Sequence, residues 1–244
     1  MNKIRTIVYC TIAMIFTAII SVFIYYNKYI GNSWCLKDFV IYVSSELVRW
    51  IVMVVFAVSV MNGISDMLNK NQVIRYRNIK CFYGHIIVEI IKMSALFAIG
   101  ITLILLISGF VLSGKNINNW SSYNSYARRM YGSMLVDVSV IELYIKFIVS
   151  IFYMSCILGL LNLITYRFSG SLIIGFVINI ALIVAMGYVE TINNLIGRSC
   201  LTNAVYIKGI NIYDTYIYSL IVIGVLILIV INMGYRDFLA KKLD

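Results

Sequence analysis

The residues that could carry catalysis in this sequence are few and widely separated. His85 is the one histidine among 244 residues, and a serine–histidine pair for intramembrane hydrolysis would need that imidazole deep inside a helix. His85 instead follows Tyr83 and Gly84 at the predicted inner edge of an apolar segment. One histidine with dispersed acids also cannot supply three protein ligands to a zinc ion. We therefore predict that the chain is not an enzyme and holds no metal.

Cysteine and glycine patterns point the same way. The five cysteines are scattered and contain no CxxC pair, so neither a zinc site nor a disulfide framework is predicted. The phosphate-binding pattern GxxxxGK[ST] does not occur. We predict no cofactor in this chain, and any use of ATP would belong to a partner subunit.

Two charges inside an apolar segment are the strongest candidates for a polar function. Glu46 and Arg49 stand about two turns inside the predicted span 39–61, at a spacing that places them on one helix face. Charges at membrane depth are costly and usually face a bundle interior or a wet cavity. If the span begins later, toward Asp66, both side chains return to the interface, where a solvated pair needs no function.

The composition decides what kind of scaffold positions these residues. The chain is 62% hydrophobic and 12% charged, with a mean hydropathy of +0.93, far more apolar than a soluble domain. A helix needs about 20 apolar residues to cross a hydrocarbon core. We predict an all-α, polytopic integral membrane protein whose residues 1–244 form one transmembrane domain, with about six spans at 7–26, 39–61, 93–113, 147–166, 168–189 and 215–235.

Basic residues near the span ends predict the orientation. They are denser on the side that carries both termini, so both termini are predicted to be cytoplasmic. The net charge of +10 is explained by these flanking lysines and arginines, and we predict no nucleic-acid partner. Tyrosines and tryptophans at span edges, Trp120 among them, are predicted to form interfacial belts.

Small residues predict how neighbouring spans pack. Ser155 with Gly159, and Ser171 with Gly175, form small-xxx-small faces typical of helix contacts. Spans 147–166 and 168–189 are separated by Arg167 alone, so a tight turn is predicted near residues 167–170.

The cytoplasmic loop 62–85 between the second and third spans contains the basic and aromatic stretch IRYRNIK. Apolar residues recur among polar ones there, which indicates an amphipathic segment at the inner face. Three interpretations remain: the segment floats on anionic lipid, it is a polar hairpin between spans, or it docks into a partner protein.

The chain resembles the membrane subunits of type-2 ATP-binding-cassette (ABC) transporters, especially the short six-span permeases of Gram-positive bacteria associated with bacteriocin and lantibiotic immunity or peptide export. The six-span layout, the IRYRNIK stretch and the tail GYRDFLAKKLD carry this resemblance. In that family the loop after the second span forms a coupling helix that sits on the ATPase. The resemblance implies that role for residues 66–82, with these contact candidates: Asp66, Arg75, Tyr76, Arg77 and Lys80.

The same resemblance implies the function and the partners. The chain would be a permease in the bacterial cell membrane that exports peptides or other amphipathic or apolar compounds. It would act with a separate ABC ATPase subunit and a second permease, which is the same or a different chain. The alternative is a non-catalytic membrane scaffold or immunity protein that binds a partner without transport.

Overall fold

The computed structural model describes residues 33–44, 46–67, 79–113, 117–188 and 212–243. This part of the chain is helical and contains no strand. Seven α-helices lie in it: α1 (Leu36–Ser44), α2 (Glu46–Met67), α3 (Ile79–Ser113), α4 (Tyr126–Tyr131), α5 (Val140–Ser169), α6 (Leu172–Tyr188) and α7 (Ile212–Leu243). A short 3-10 helix, Gly132–Met134, follows α4. The predicted all-α class is confirmed for these residues.

Three of these helices are long and apolar enough to cross a membrane. The qualifying segments are Cys81–Val111 in α3, Val140–Ser169 in α5 and Tyr213–Met233 in α7. Large apolar side chains remain exposed along them, for example Leu103 and Leu228, as expected where lipid is the solvent. The chain is thus an apolar helical protein that fits a membrane.

The predicted spans can be compared with these helices. The predicted third span, 93–113, is the second half of α3, whose 35 residues give a length of roughly 52 Å. The predicted second span, 39–61, falls on α1 and α2, which lie on either side of Ser45. Shorter apolar helices occur at Val52–Met61 and Ile173–Leu182. The predicted first span, 7–26, lies outside the described residues.

The chain divides into two compact units. The first unit includes residues 1–49, 99–149 and 202–212, and the second includes residues 50–98, 150–201 and 213–244.

In the second unit, α2 and α3 pack in antiparallel directions. Phe56 packs against Phe97 with ring centroids 4.8 Å apart and ring planes tilted by 55°. Toward the end of α2, a Cβ built on Gly63 would lie 2.8 Å from the Met93 methyl carbon. The absence of a side chain at Gly63 therefore leaves room for the end of the Met93 side chain.

Helices α5 and α6 form a hairpin in the same unit. The chain turns at Gly170, whose φ of +68° lies in the left-handed region that favours glycine, and the Gly170 N–H donates to the Tyr166 carbonyl at 2.8 Å. The turn lies in the stretch where the sequence predicts one. The predicted helix contacts at Gly159 and Gly175 are confirmed: Gly159 faces Ile90 on α3, and Gly175 faces Asn162 on α5.

Candidate functional site

The structure describes no side-chain contacts for most of the predicted site residues. Arg75, Tyr76 and Arg77 lie outside the described residues. Asp66 lies in α2 near its end, and Lys80 is the second residue of α3, but the structure does not describe either side chain. The same holds for the predicted intramembrane pair.

Glu46 and Arg49 lie in the first turn of α2. Their backbone is helical, which is consistent with the predicted i,i+3 spacing on one face. Whether they pair or lie inside the membrane stays a prediction.

The best-defined polar site lies in the first unit, where residues 117–139 connect α3 to α5. We call this segment the 117–139 connection. It is attached to the start of α1 by a group of buried and charged side chains, which we call the Asp38 cluster: Cys35, Lys37, Asp38, Trp120 and Asp137.

Asp38 lies at the centre of this cluster and is fully buried. One carboxylate oxygen accepts from the Trp120 indole N–H at 2.9 Å. The other accepts from the Cys35 backbone N–H at 2.8 Å. This second bond caps the first turn of α1, because Asp38 lies three residues after Cys35 and reaches back to its N–H.

Burial raises the pKa of Asp38 to about 6, and the hydrogen bonds from Cys35 and Trp120 act in the opposite direction by stabilising the carboxylate. Burial also raises the pKa of the Cys35 thiol to about 12, with the nearby Asp38 charge as a smaller cause. Cys35 is therefore a protonated, unreactive thiol at neutral pH.

Lys37 is the cation of the cluster, and its side chain is almost wholly buried. Its ammonium nitrogen lies 2.6 Å from an Asp137 carboxylate oxygen and 4.7 Å from the centroid of the Trp120 ring. The hydrogen bond from Lys37 holds the pKa of Asp137 below its usual value. Lys37 of α1 thus binds the connection by an ion pair with Asp137 and a cation–π contact with Trp120 together.

Backbone contacts fix the connection beside the cluster. The Ser33 N–H donates to the Asn124 carbonyl and the Tyr126 N–H donates to the Ser33 carbonyl, both at 3.0 Å. The wholly buried Ser125 caps α4 by accepting from the Arg128 N–H at 3.1 Å. The connection is therefore held both by the side chains of the Asp38 cluster and by backbone hydrogen bonds to Ser33.

The Asp38 cluster is suited to holding the connection in place and not to catalysis. The Asp38 carboxylate is occupied by two donors, the Cys35 thiol is protonated, and Lys37 is ion-paired, so the cluster offers neither a nucleophile nor a free base. Among the residues that the structure describes, no group of three or more histidine, cysteine or acidic side chains could hold a metal ion. The cluster instead fixes the geometry of the connection between two long apolar helices.

A second polar site lies inside the α5–α6 hairpin of the second unit. The Asn179 side-chain amide donates to the Leu158 carbonyl at 3.2 Å. Asn162 is wholly buried, and neither atom of its side-chain amide has a hydrogen-bond partner within the part of the chain described. A Cβ built on Gly175 would lie 2.5 Å from the Asn162 amide oxygen, so the amide lies directly against the α6 backbone.

Sequence reasoning missed both sites for identifiable reasons. Trp120 is predicted to lie in an interfacial belt, and its depth in the membrane stays a prediction. The structure adds that Trp120 is only 2% exposed and that its indole N–H donates to a buried carboxylate, a partner that the interfacial preference of tryptophan does not reveal. The signal available was Asp38 itself, an acid placed three residues after Cys35, the residue that precedes the helix.

Comparison with known proteins adds no family assignment, because no protein-family model, curated protein or solved structure matches this chain.

Proposed function

We propose that this chain is the membrane-spanning permease subunit of an ABC transporter. In this proposal it crosses the bacterial cell membrane about six times, with both termini cytoplasmic. It exports peptides or other amphipathic or apolar compounds, driven by a separate ATPase subunit. A second permease, a copy of this chain or a different one, completes the pathway.

The observation that carries the proposal is the unequal length of α2 and α3. Gly63 lies opposite Met93, yet α2 ends at Met67 while α3 begins at Ile79. From this contact α2 continues for four residues and α3 for fourteen in the same direction. Helix α3 therefore extends about ten residues, roughly 15 Å, past the end of α2.

This extension suits a lever between a coupling segment and a membrane helix. In the sequence, Arg75, Tyr76 and Arg77 come shortly before this extension, which is continuous with the apolar part of α3. Phe82, Tyr83 and Ile86 within this extension are buried, so the extension is a packed helix and not a segment surrounded by water. A force applied at its start would be transmitted through helical backbone to the membrane segment.

That geometry supports the following mechanism. Closure of an ATPase pair would displace the coupling segment, and the rigid α3 would carry the motion into the bundle as a rigid-body change. The chain has no ATPase motif of its own, so it contributes a wall of the pathway and the lever. Apolar, tyrosine-rich spans of this kind suit amphipathic or apolar substrates such as peptides.

Charge reversal at Arg75 tests the proposal. The chain is purified in mild detergent with the proteins that co-elute, and ATP hydrolysis is measured with and without candidate peptides. We expect Arg75→Glu to insert normally and to lose peptide-stimulated ATP hydrolysis, because a basic contact to the ATPase becomes repulsive.

Lys115→Glu is the matched control, since it makes the same charge reversal on the predicted outer face. Normal stimulation in Arg75→Glu would remove the coupling role. A chain that elutes alone, with no ATP turnover under any condition, would instead support the non-catalytic scaffold or immunity protein.

A further inference from the structure

We propose that the 117–139 connection carries a binding surface for anionic lipid headgroups, formed by Arg128 and Arg129 with the apolar side chains of Met130 and Met134. This surface does not depend on a transport role. It requires only that α3 and α5 cross the membrane.

The position of the surface follows from the helices on either side of it. The apolar part of α3 runs to Val111, and that of α5 begins at Val140. The backbone between them includes non-helical stretches, which lipid tails cannot satisfy with hydrogen bonds. The connection must therefore lie at the level of the headgroups or in water, at the end of two membrane helices.

The exposed side chains on the connection match an interface and not open water. Met130 is 58% exposed and Met134 is 62% exposed. On α5, which follows the connection, Ile141 and Ile145 are also exposed. Apolar residues next to arginines are typical of segments that lie at the boundary between headgroups and acyl chains.

The connection carries a net positive formal charge. Its charged residues are Arg128, Arg129 and Asp137. Asp137 is ion-paired with Lys37 of α1 at 2.6 Å. The two arginines are both exposed, and their positive charge complements a phosphate-bearing surface.

The arginines are also held in position. Helix α4 is capped at its start by Ser125 and ends at Gly132, whose φ of +55° and N–H bond to the Arg128 carbonyl close the last turn. The Arg129 guanidinium donates to Asn124 at 3.2 Å. Trp120, Ser125 and Ala127 of the same connection are buried, so the backbone that carries the arginines is already fixed, and binding a phosphate costs little ordering of that backbone.

The test uses the full chain in nanodiscs of phosphatidylcholine, with or without phosphatidylglycerol. A polarity-sensitive fluorophore is attached to Cys introduced at Ser133, an exposed residue, in a background where Cys10, Cys81 and Cys200 are serine. We expect a blue shift that grows with the phosphatidylglycerol fraction. In R128Q/R129Q the apparent affinity for phosphatidylglycerol should fall roughly ten- to thirty-fold, because each arginine near an anionic surface contributes about five-fold.

Two controls separate the outcomes. K92Q removes an exposed cation elsewhere on the chain and should leave the shift unchanged. R128K/R129K keeps the charge and should retain most of the affinity, which excludes general damage to the connection.

Three results would overturn the proposal. An equal shift in phosphatidylcholine alone that survives in R128Q/R129Q would indicate purely apolar contact. The absence of a shift in every nanodisc would place the connection away from the bilayer. A response to a soluble acidic peptide but not to phosphatidylglycerol would assign the surface to a protein partner.

Discussion

Removing the indole N–H of Trp120 tests whether the Asp38 cluster holds the 117–139 connection by an ionic hydrogen bond. Trp120→Phe keeps an aromatic ring under Lys37 but deletes the donor that lies 2.9 Å from the Asp38 carboxylate. A hydrogen bond to a charged group contributes about 1.5–3 kcal/mol, and one to a neutral group about 0.5–1.5 kcal/mol. The loss of stability should therefore depend on the protonation state of Asp38.

The direction of the pH dependence follows from the raised pKa. Asp38 has a folded-state pKa of about 6, above that of an unfolded aspartate, so its burial disfavours the folded state most when it is ionised. Trp120 offsets part of that cost. In Trp120→Phe the pKa should rise further, and the stability lost should be largest above about pH 7 and smallest near pH 5, where Asp38 is protonated in both proteins.

The assay is thermal loss of helical circular dichroism in detergent at about pH 8 and about pH 5, where the difference between the two losses should be about 1–1.5 kcal/mol. At roughly 2–4 °C per kcal/mol this corresponds to a few degrees in Tm. Trp34→Phe is the control, because Trp34 packs on Phe39 with ring centroids 5.7 Å apart, and its loss should be similar at both pH values. Equal losses for Trp120→Phe at both pH values would refute the ionic role of the indole.

Two further predictions concern the ion pair and the hairpin. Asp137→Asn should destabilise the protein at neutral pH by leaving the buried Lys37 without its anion. Because the pKa of Asp137 is lowered in the folded protein, the ion pair stabilises the fold above the usual aspartate pKa, and this stabilisation is lost as the pH falls through the folded-state pKa. A difference in stability between Asp137→Asn and wild type that persists in strong acid would contradict the pairing. Gly175→Ala should lower the free energy of unfolding by about 1–3 kcal/mol, because the added methyl group forces the Asn162 amide away from α6. Gly224→Ala is the control: a Cβ there meets no atom within 4 Å, so Tm should not change. Equal effects of the two substitutions would show that the hairpin is loosely packed.

The helical class and the position of the α5–α6 turn could be predicted because they depend on local sequence. Long apolar runs predict membrane helices through the cost of exposing backbone to lipid. Gly170, one residue after a helix of 30 residues, marks a turn because glycine tolerates a positive φ. The contacts at Gly159 and Gly175 were predicted from small-residue spacing alone, although the partners Ile90 and Asn162 were not.

The candidate sites were less predictable because their partners are distant in sequence. Trp120 and Asp38 are 82 residues apart, and Lys37 and Asp137 are 100 residues apart. A single sequence contains no signal that pairs such residues. Asn162 was passed over because a lone asparagine in an apolar run has no distinguishing pattern.

The sequence by itself determined that this chain is a helical protein built for lipid, because burial of apolar side chains and satisfaction of backbone hydrogen bonds act on every residue in the same way wherever it lies. Only the tertiary structure decided that Asp38 is a buried carboxylate held by an indole, and that Arg128 and Arg129 are exposed on a capped helix. Those properties depend on which side chains meet across the fold, since a charge is stabilised by the specific donors around it and not by its own identity.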